Sequence, residues 1–319
     1  MPKYSIAIPA FKSKYIRAAI DSILNQTQGD FEIIILNDCS PEPIREIVKN
    51  YKDSRVHYYE NTYNVGMLNV VDNWNKCLEL AKGDYLICMG DDDELAPDCL
   101  YRYNEIIDRY PNLDIYHGQT IVIGEDSNPL LAPLSRPEWE SVLELIYYRM
   151  FDRKQYIGDF LYRIATLRSK GGFYKLPAAW GSDDISATMA AQQYGIANTH
   201  HIVFKYRSNP YSISSSGSIG VKMVALKDEE LWYHNFLKEY NCSNDNDVLF
   251  KTIILKEIKK YYSKKRLRMI ADDLMTEPLH ILRWLKTAEQ LGLTKSMVLY
   301  ALIMSIRDKM SISYQNKKK

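Results

Sequence analysis

The sequence predicts an α/β fold, a mostly parallel central sheet flanked by helices, with an α-helical C-terminal extension. Three observations carry that expectation. Short apolar runs alternate with helix-spaced segments over the first half, the pattern of βαβ units. Some of these runs are unbroken by polar residues, as in parallel strands covered on both faces. Beyond about Ser212 the strand patterns stop and only helical spacing remains.

Residues 4–8, Tyr-Ser-Ile-Ala-Ile, predict the first buried strand. Ser13 is a candidate N-cap for a helix whose Ile16, Ile20, Ile23 and Leu24 share one face. Residues 31–36 form a continuous apolar strand, 44–51 a short helix and 56–59 a short strand. A helix is expected over 68–81, with Leu68, Val71 and Leu78 on its apolar face, then a strand over 85–89. The next helix, 97–110, places Pro97 in its first turn, where a missing N–H costs nothing. After residue 112 the pattern loosens: 124–137 reads as a long loop, 138–151 and 184–194 as helices, 201–207 as a strand. Helices are expected at 222–240, 248–262, 267–274, 278–291 and 295–306. A composition boundary within Ser212–Ser218 divides the chain into domains 1–215 and 216–319.

Composition narrows the function. Lys plus Arg total 41 against 40 for Asp plus Glu, a net charge of +1, which speaks against a dedicated nucleic-acid binder. The 46% hydrophobic content of 319 residues supports a real core and excludes an acidic disordered chain. The five cysteines are scattered without a CxxC pair, so neither a disulfide framework nor a zinc site is indicated, and reduced cytosolic thiols are the simplest reading. Neither apolar run, 4–8 or 297–306, is long enough to span a bilayer, so a soluble or peripherally attached intracellular protein is expected.

In parallel sheets ligands collect at the carboxyl ends of strands. Asp91, Asp92 and Asp93, followed by Glu94, stand directly after the strand at 85–89. Like charges this close repel, and a hard divalent cation, Mn²⁺ or Mg²⁺, is the natural reason to hold them together; such ions bridge carboxylates to substrate phosphates. A solvated acidic turn ahead of a helix is the bland alternative. At a second strand end Asp38 could accept a hydrogen bond from a base N–H or a ribose hydroxyl, or cap a helix before Pro41. At a third, Phe11 could contact a base or be core.

The order Ile6-Ala-Ile-Pro-Ala-Phe11, Ile23-Leu-Asn-Gln-Thr27, Phe31-Glu-Ile-Ile-Ile-Leu-Asn-Asp-Cys-Ser40, Asn64-Val-Gly66, Ala81-Lys-Gly-Asp-Tyr85 and Gly90-Asp-Asp-Asp-Glu-Leu-Ala-Pro97 resembles glycosyltransferase family 2. It continues through Gly171-Gly-Phe173 and Ser182-Asp-Asp184 to Tyr206-Arg207 and Ser212-Ile-Ser214, covering roughly residues 3–215. The resemblance implies a Rossmann-like GT-A fold and an inverting, metal-dependent transfer from a nucleotide sugar, UDP-linked, to a saccharide or lipid-linked saccharide. Carried over by position, Pro9, Phe11 and Asp38 surround the base and ribose, and Asn64 and Gly66 shape the nucleotide pocket. Asp91 and Asp92 match the acidic motif, with Asp92 the direct metal ligand and Asp93 beside them. The commonest family form has an Asp where Gly90 stands, which leaves open how many carboxylates touch the metal. Asp183 and Asp184 match the family's acidic pair, Asp184 as the base that takes the acceptor hydroxyl's proton. The bland reading of that pair is an N-cap. Arg207 is expected to contact phosphate or to be structural, and Asn209 stands where some relatives carry a metal-assisting histidine.

The basic, apolar-interleaved stretch 251–268 reads as a solvated face over a helix bundle, or as a peripheral membrane contact at the inner face. Two rivals to the transferase remain. A nucleotidyltransferase would want a glycine-rich phosphate loop after the first strand, whereas Ala10-Phe-Lys-Ser-Lys14 has none. A non-catalytic nucleotide-sugar binder would tolerate Gly90.

Overall fold

The computed structural model describes residues 2–151, 153–209 and 218–316. The motif Ser212–Ser214, and all of the predicted boundary except Ser218, lie outside the described residues. The chain divides into two compact units, Met1–Ser216 and Gly217–Lys319.

The first unit is built on ten strands: β1 Tyr4–Ala10, β2 Phe31–Asn37, β3 Val56–Glu60, β4 Tyr85–Cys88, β5 Glu94–Leu95, β6 Ile115–Ile123, β7 Pro129–Leu131, β8 Trp139–Glu140, β9 Phe160–Arg163 and β10 Ile196–Arg207. They form one sheet in the order β3-β2-β1-β4-β9-β6-β10-β5, with β7 on β6 and β8 on β10. β3, β2, β1 and β4 are mutually parallel, and so are β6 and β10. β9 runs antiparallel between β4 and β6, so the sheet is mixed rather than all parallel. This reversal positions the site. It brings the amino end of β9 to the sheet edge where β1, β2, β4, β6 and β10 all end.

Every residue of β2 is buried, as its apolar run requires, including Glu32, whose Oε1 accepts from Ser5 Oγ at 2.7 Å and Lys82 N at 2.6 Å. Helix α1, Ile16–Leu24, buries Ile16, Ala19, Ile20 and Ile23 on the sheet; its N-cap is Tyr15, and Ser13 does not cap it. Further helices are α2 Ile44–Val48, α3 Val70–Leu80, α4 Cys99–Arg109, α5 Val142–Phe151, α6 Ile164–Ser169 and α7 Ser182–Ala191. The expected helix over 68–81 begins as a 3₁₀ turn, Met67–Asn69, so Leu68 is exposed rather than on the apolar face. Pro97 lies two residues ahead of α4 instead of in its first turn. β5, β7, β8 and β9 are too short for a period to be detected, and β6 falls where the pattern loosens after residue 112, so the sequence predicts none of these five as elements.

The second unit contains α8 Ile219–Glu239, α9 Asp245–Thr276, α10 Ile281–Thr287 and α11 Lys295–Asn316. The two helices expected at 248–262 and 267–274 are one, because Ser263–Arg266 contains no helix breaker. Asn244 caps it by accepting from Asp247 N at 2.9 Å. Ile254, Ile258, Tyr262, Ile270 and Leu274 form its buried stripe, and Lys256, Lys259, Lys260 and Lys264 lie on the solvated side. Among the described residues no helix is long and apolar enough to cross a membrane.

Candidate active site

The turn after β4 is tied back to β1. Asp91 Oδ2 accepts from two successive backbone N–H groups, Phe11 and Lys12, each at 2.7 Å. Asp92 faces the same space, where Asn209 Nδ2 donates to its Oδ2. Together with Lys12, Lys14 and Tyr15 these residues line a cavity of about 40 Å³. Burial, then the charge of Asp92, push the Asp91 carboxyl up to about 6, despite the two N–H donors that favour the anion. Two carboxylates on one small cavity suit a hard cation that takes its remaining ligands from substrate phosphate and water. Among the described residues no group of three His, Cys, Asp or Glu side chains is arranged to hold a metal by itself.

Asp93 departs from the expectation. It is buried, its Oδ1 accepting from Arg207 N at 2.9 Å and its Oδ2 from Gly90 N at 3.2 Å, and it does not line the cavity. Desolvation, followed by the charge of Asp92, raises its carboxyl well above the usual range. The turn also explains Gly90: a Cβ there would lie 2.7 Å from Asp92 Oδ1 and 2.9 Å from Asp93 Oδ2, so this turn has no room for an aspartate.

Arg207 is likewise no free phosphate ligand. It is 1% exposed, and its guanidinium donates to Asp92 O (2.7 Å), Gly124 O (2.7 Å), Glu125 O (3.1 Å), Ser127 Oγ (3.0 Å) and Glu94 Oε1. It stacks over Tyr15 at 4.3 Å and so binds the ends of β4, β6 and β10 to the start of α1. The cations that do face the cavity are Lys12 and Lys14, single lysines with no sequence signal of their own.

At the end of β2, Asp38 is buried by its own network. Its Oδ1 accepts from Asn61 Nδ2 (2.8 Å) and Val65 N (3.0 Å), and its Oδ2 from Asn64 Nδ2 (3.1 Å). Of about four lone-pair positions on a carboxylate, one is left for a ligand N–H. Asn61 also donates to Asn73 Oδ1 at 2.8 Å and accepts from Lys76 Nζ at 2.6 Å; neither Asn61 nor Lys76 stood out in the sequence. Gly66, at φ 79°, turns the chain into the 3₁₀ segment beyond Asn64, Phe11 is 42% exposed beside this network, and Pro9 lies within β1.

The acidic pair opens α7. Asp184 is 3% exposed, and its Oδ1 accepts from Arg149 Nε at 2.7 Å and Gln155 Nε2 at 2.6 Å. Asp183 is half-buried, and desolvation plus the charge of Asp184 push its carboxyl up to about 8. The preceding Gly171-Gly-Phe173 motif leads into α7, where Leu176 N donates to Ser182 Oγ at 3.0 Å. Gly172, at φ 90°, passes so close to Asn75 that a Cβ would lie 2.4 Å from its Oδ1, and Phe173 N donates to that oxygen at 2.7 Å. Phe173 then packs edge-on against Trp74 and Tyr162 at 5.6 and 5.4 Å. Gln155 Nε2 donates to Asp184, and the next residue, Tyr156, stacks on Tyr206 at 3.8 Å; Arg207, following Tyr206, donates its N–H to Asp93 Oδ1 at 2.9 Å. The segment Gln155–Tyr156 is therefore tied to the acidic pair on one side and, through Tyr206 and Arg207, to the acidic turn on the other.

Comparison with known proteins places the chain in a family. A glucosyltransferase of Campylobacter jejuni, GalNAc(5)-diNAcBac-PP-undecaprenol beta-1,3-glucosyltransferase, is 36% identical over 104 residues, 31% of this chain and 33% of its own. A glycosyltransferase of Mycoplasma genitalium, itself uncharacterized, is 30% identical over 196 residues, 54% of this chain and 64% of its own. The chain thus spans less than two thirds of the length of either relative. The crystal structure of S. aureus TarS 1–349 with UDP-GlcNAc superposes with a TM-score of 0.64 at 15% identity, covering 99% of this chain and 92% of that one, which shows a shared fold. The family model for glycosyl transferase family 2 matches residues 5–171, more than half of the sequence, and this chain belongs to that family.

Proposed function

We propose that this protein moves a hexose or N-acetylhexosamine from a UDP-linked sugar to a saccharide or lipid-linked saccharide by one inverting displacement. The observation that carries the reading is the pairing of a carboxylate turn suited to a cation and diphosphate with an acidic pair, both tied to the segment Gln155–Tyr156: Gln155 donates to Asp184, and Tyr156 stacks on Tyr206, next to the Arg207 that donates to Asp93. The donor class is supported by the UDP-GlcNAc in the TarS structure, and the acceptor class by the undecaprenol-linked oligosaccharide in the Campylobacter relative's name.

Asp38, Asn64 and Phe11 hold the nucleoside at the ends of β1 and β2, with Pro9 and Gly66 setting the backbone around it. Asp91 and Asp92 would hold Mn²⁺ or Mg²⁺, which when bound supplies positive charge against the departing diphosphate. Lys12 adds charge from the protein itself, beside Lys14, which is paired with Glu125 at 2.6 Å. Asp184 takes the proton of the acceptor hydroxyl as that oxygen bonds to the anomeric carbon and the bond to diphosphate breaks; attack from the opposite face turns an α-linked donor into a β-glycoside. Desolvation and the charge of Asp184 raise the Asp183 carboxyl, so of the two Asp183 is the one that resists ionisation. The exposed lysines of α9 would favour an anionic membrane surface on the cytoplasmic side, where a lipid-linked acceptor would be met.

A panel of nucleotide sugars scored for free diphosphate release, with and without Mn²⁺, tests this. UDP release stimulated by the metal is expected. Asp184→Asn should lower transfer by about 10²- to 10⁴-fold with donor binding retained. Asp183→Asn, which leaves the Asp184 carboxylate in place, should stay within about tenfold of wild type. Pyrophosphate release from a triphosphate would reveal a nucleotidyltransferase, and binding without turnover a mere binder.

A further inference from the structure

The Asp184 carboxylate is gripped on one side only. Arg149, near the end of α5, and Gln155, ahead of β9, both donate to Oδ1. Among the described residues no hydrogen bond reaches Oδ2. Gln155 is 6% exposed and its orientation is set by chemistry: Nε2 faces a carboxylate that can only accept, and Oε1 faces Arg136, whose Nη2 can only donate, at 3.1 Å. Arg136 is itself buried, 3.7 Å from Glu140 Oε1. Glu140, fully buried, is held by Arg153 Nη1 at 2.6 and 2.8 Å and by Asn198 Nδ2 at 3.2 Å. A chain of alternating charges thus runs from β8 and β10 through Gln155 to one oxygen of the carboxylate at the start of α7.

Stability alone would be served as well by an apolar core, because desolvating so many charges offsets much of what their pairing returns. Convergence on a single carboxylate oxygen is the geometry that orients a reacting group. We propose that Arg149 and Gln155 are positioning residues: they clamp Oδ1 so that Oδ2 is presented to the acceptor hydroxyl. This rests on Asp184 being the base.

The test is a double-mutant cycle with UDP-sugar turnover as the readout. Gln155→Met and Arg149→Met should each lower kcat by about 10- to 100-fold, the cost of a misplaced group, with donor KM close to wild type; each also lowers the thermal midpoint, since each strands a buried charge. Added to Asp184→Asn, either change should cost nothing more, because it acts only through that carboxylate. If Arg149→Met fails to fold, Gln155→Met, nearly isosteric and neutral, decides. Wild-type kcat in the single variants, an equal rise in donor KM, or full additivity with Asp184→Asn would overturn the proposal. Wild-type turnover in Asp184→Asn alone would instead remove the base assignment on which it rests.

Discussion

At the scale of single residues, the difference between a ligand and a scaffold lies in how many hydrogen bonds are already spent. Arg207 and Asp93 belong to types and positions that read as substrate- or metal-binding, yet every guanidinium nitrogen of Arg207 is engaged by its own chain. Removing it strands the buried carbonyls of Gly124 and Asp92 and the carboxylate of Glu94. Arg207→Met should therefore cost about 3 to 5 kcal/mol of stability, read from urea unfolding. An unchanged midpoint would contradict its role as a scaffold. Asp91 and Asp92, by contrast, line the cavity, and two of the residues facing them there, Lys12 and Lys14, are polar side chains that no sequence pattern distinguishes.

Among elements, the short 3₁₀ turn Ile157–Asp159 decides more than its length suggests. It delivers β9 antiparallel into the sheet, and it is closed by Asp159, whose Oδ2 accepts from Tyr156 N at 2.8 Å and whose Oδ1 accepts from Thr120 Oγ1. Burial pushes this carboxyl up to about 7 from an ordinary 3.8. As pH rises from about 4 to 7 the unfolded chain loses a proton that the folded chain keeps, so this group lowers stability progressively across that window. His117, buried against Asp159 and depressed first by desolvation, lowers stability in the opposite direction, as pH falls below its ordinary 6.5. Asp159→Asn removes the first effect and keeps the second. Unfolding midpoints measured from pH 4 to 8 should fall less steeply with pH in the variant than in wild type; parallel curves would show that Asp159 is not held protonated.

For the whole molecule, every residue proposed to meet nucleotide, cation or acceptor hydroxyl lies within Met1–Ser216. Residues 1–216 produced alone should bind UDP in the presence of Mn²⁺ within about threefold of the full chain's affinity, measured by calorimetry; loss of binding would assign part of the site to the helical unit. The strands β1, β2 and β4 and the acidic turn after β4 were legible in the sequence, because apolar runs and strand-end carboxylates are local signals whose cause is burial between helices. Local signal also sufficed for the family motifs. It did not reveal the antiparallel insertion of β9, the inward turn of Asp93, the saturation of Arg207, or the clamp of Arg149 and Gln155 on Asp184. Each of these depends on which donors and acceptors, tens to more than a hundred residues apart, come within hydrogen-bonding distance, and only the closed sheet brings them there.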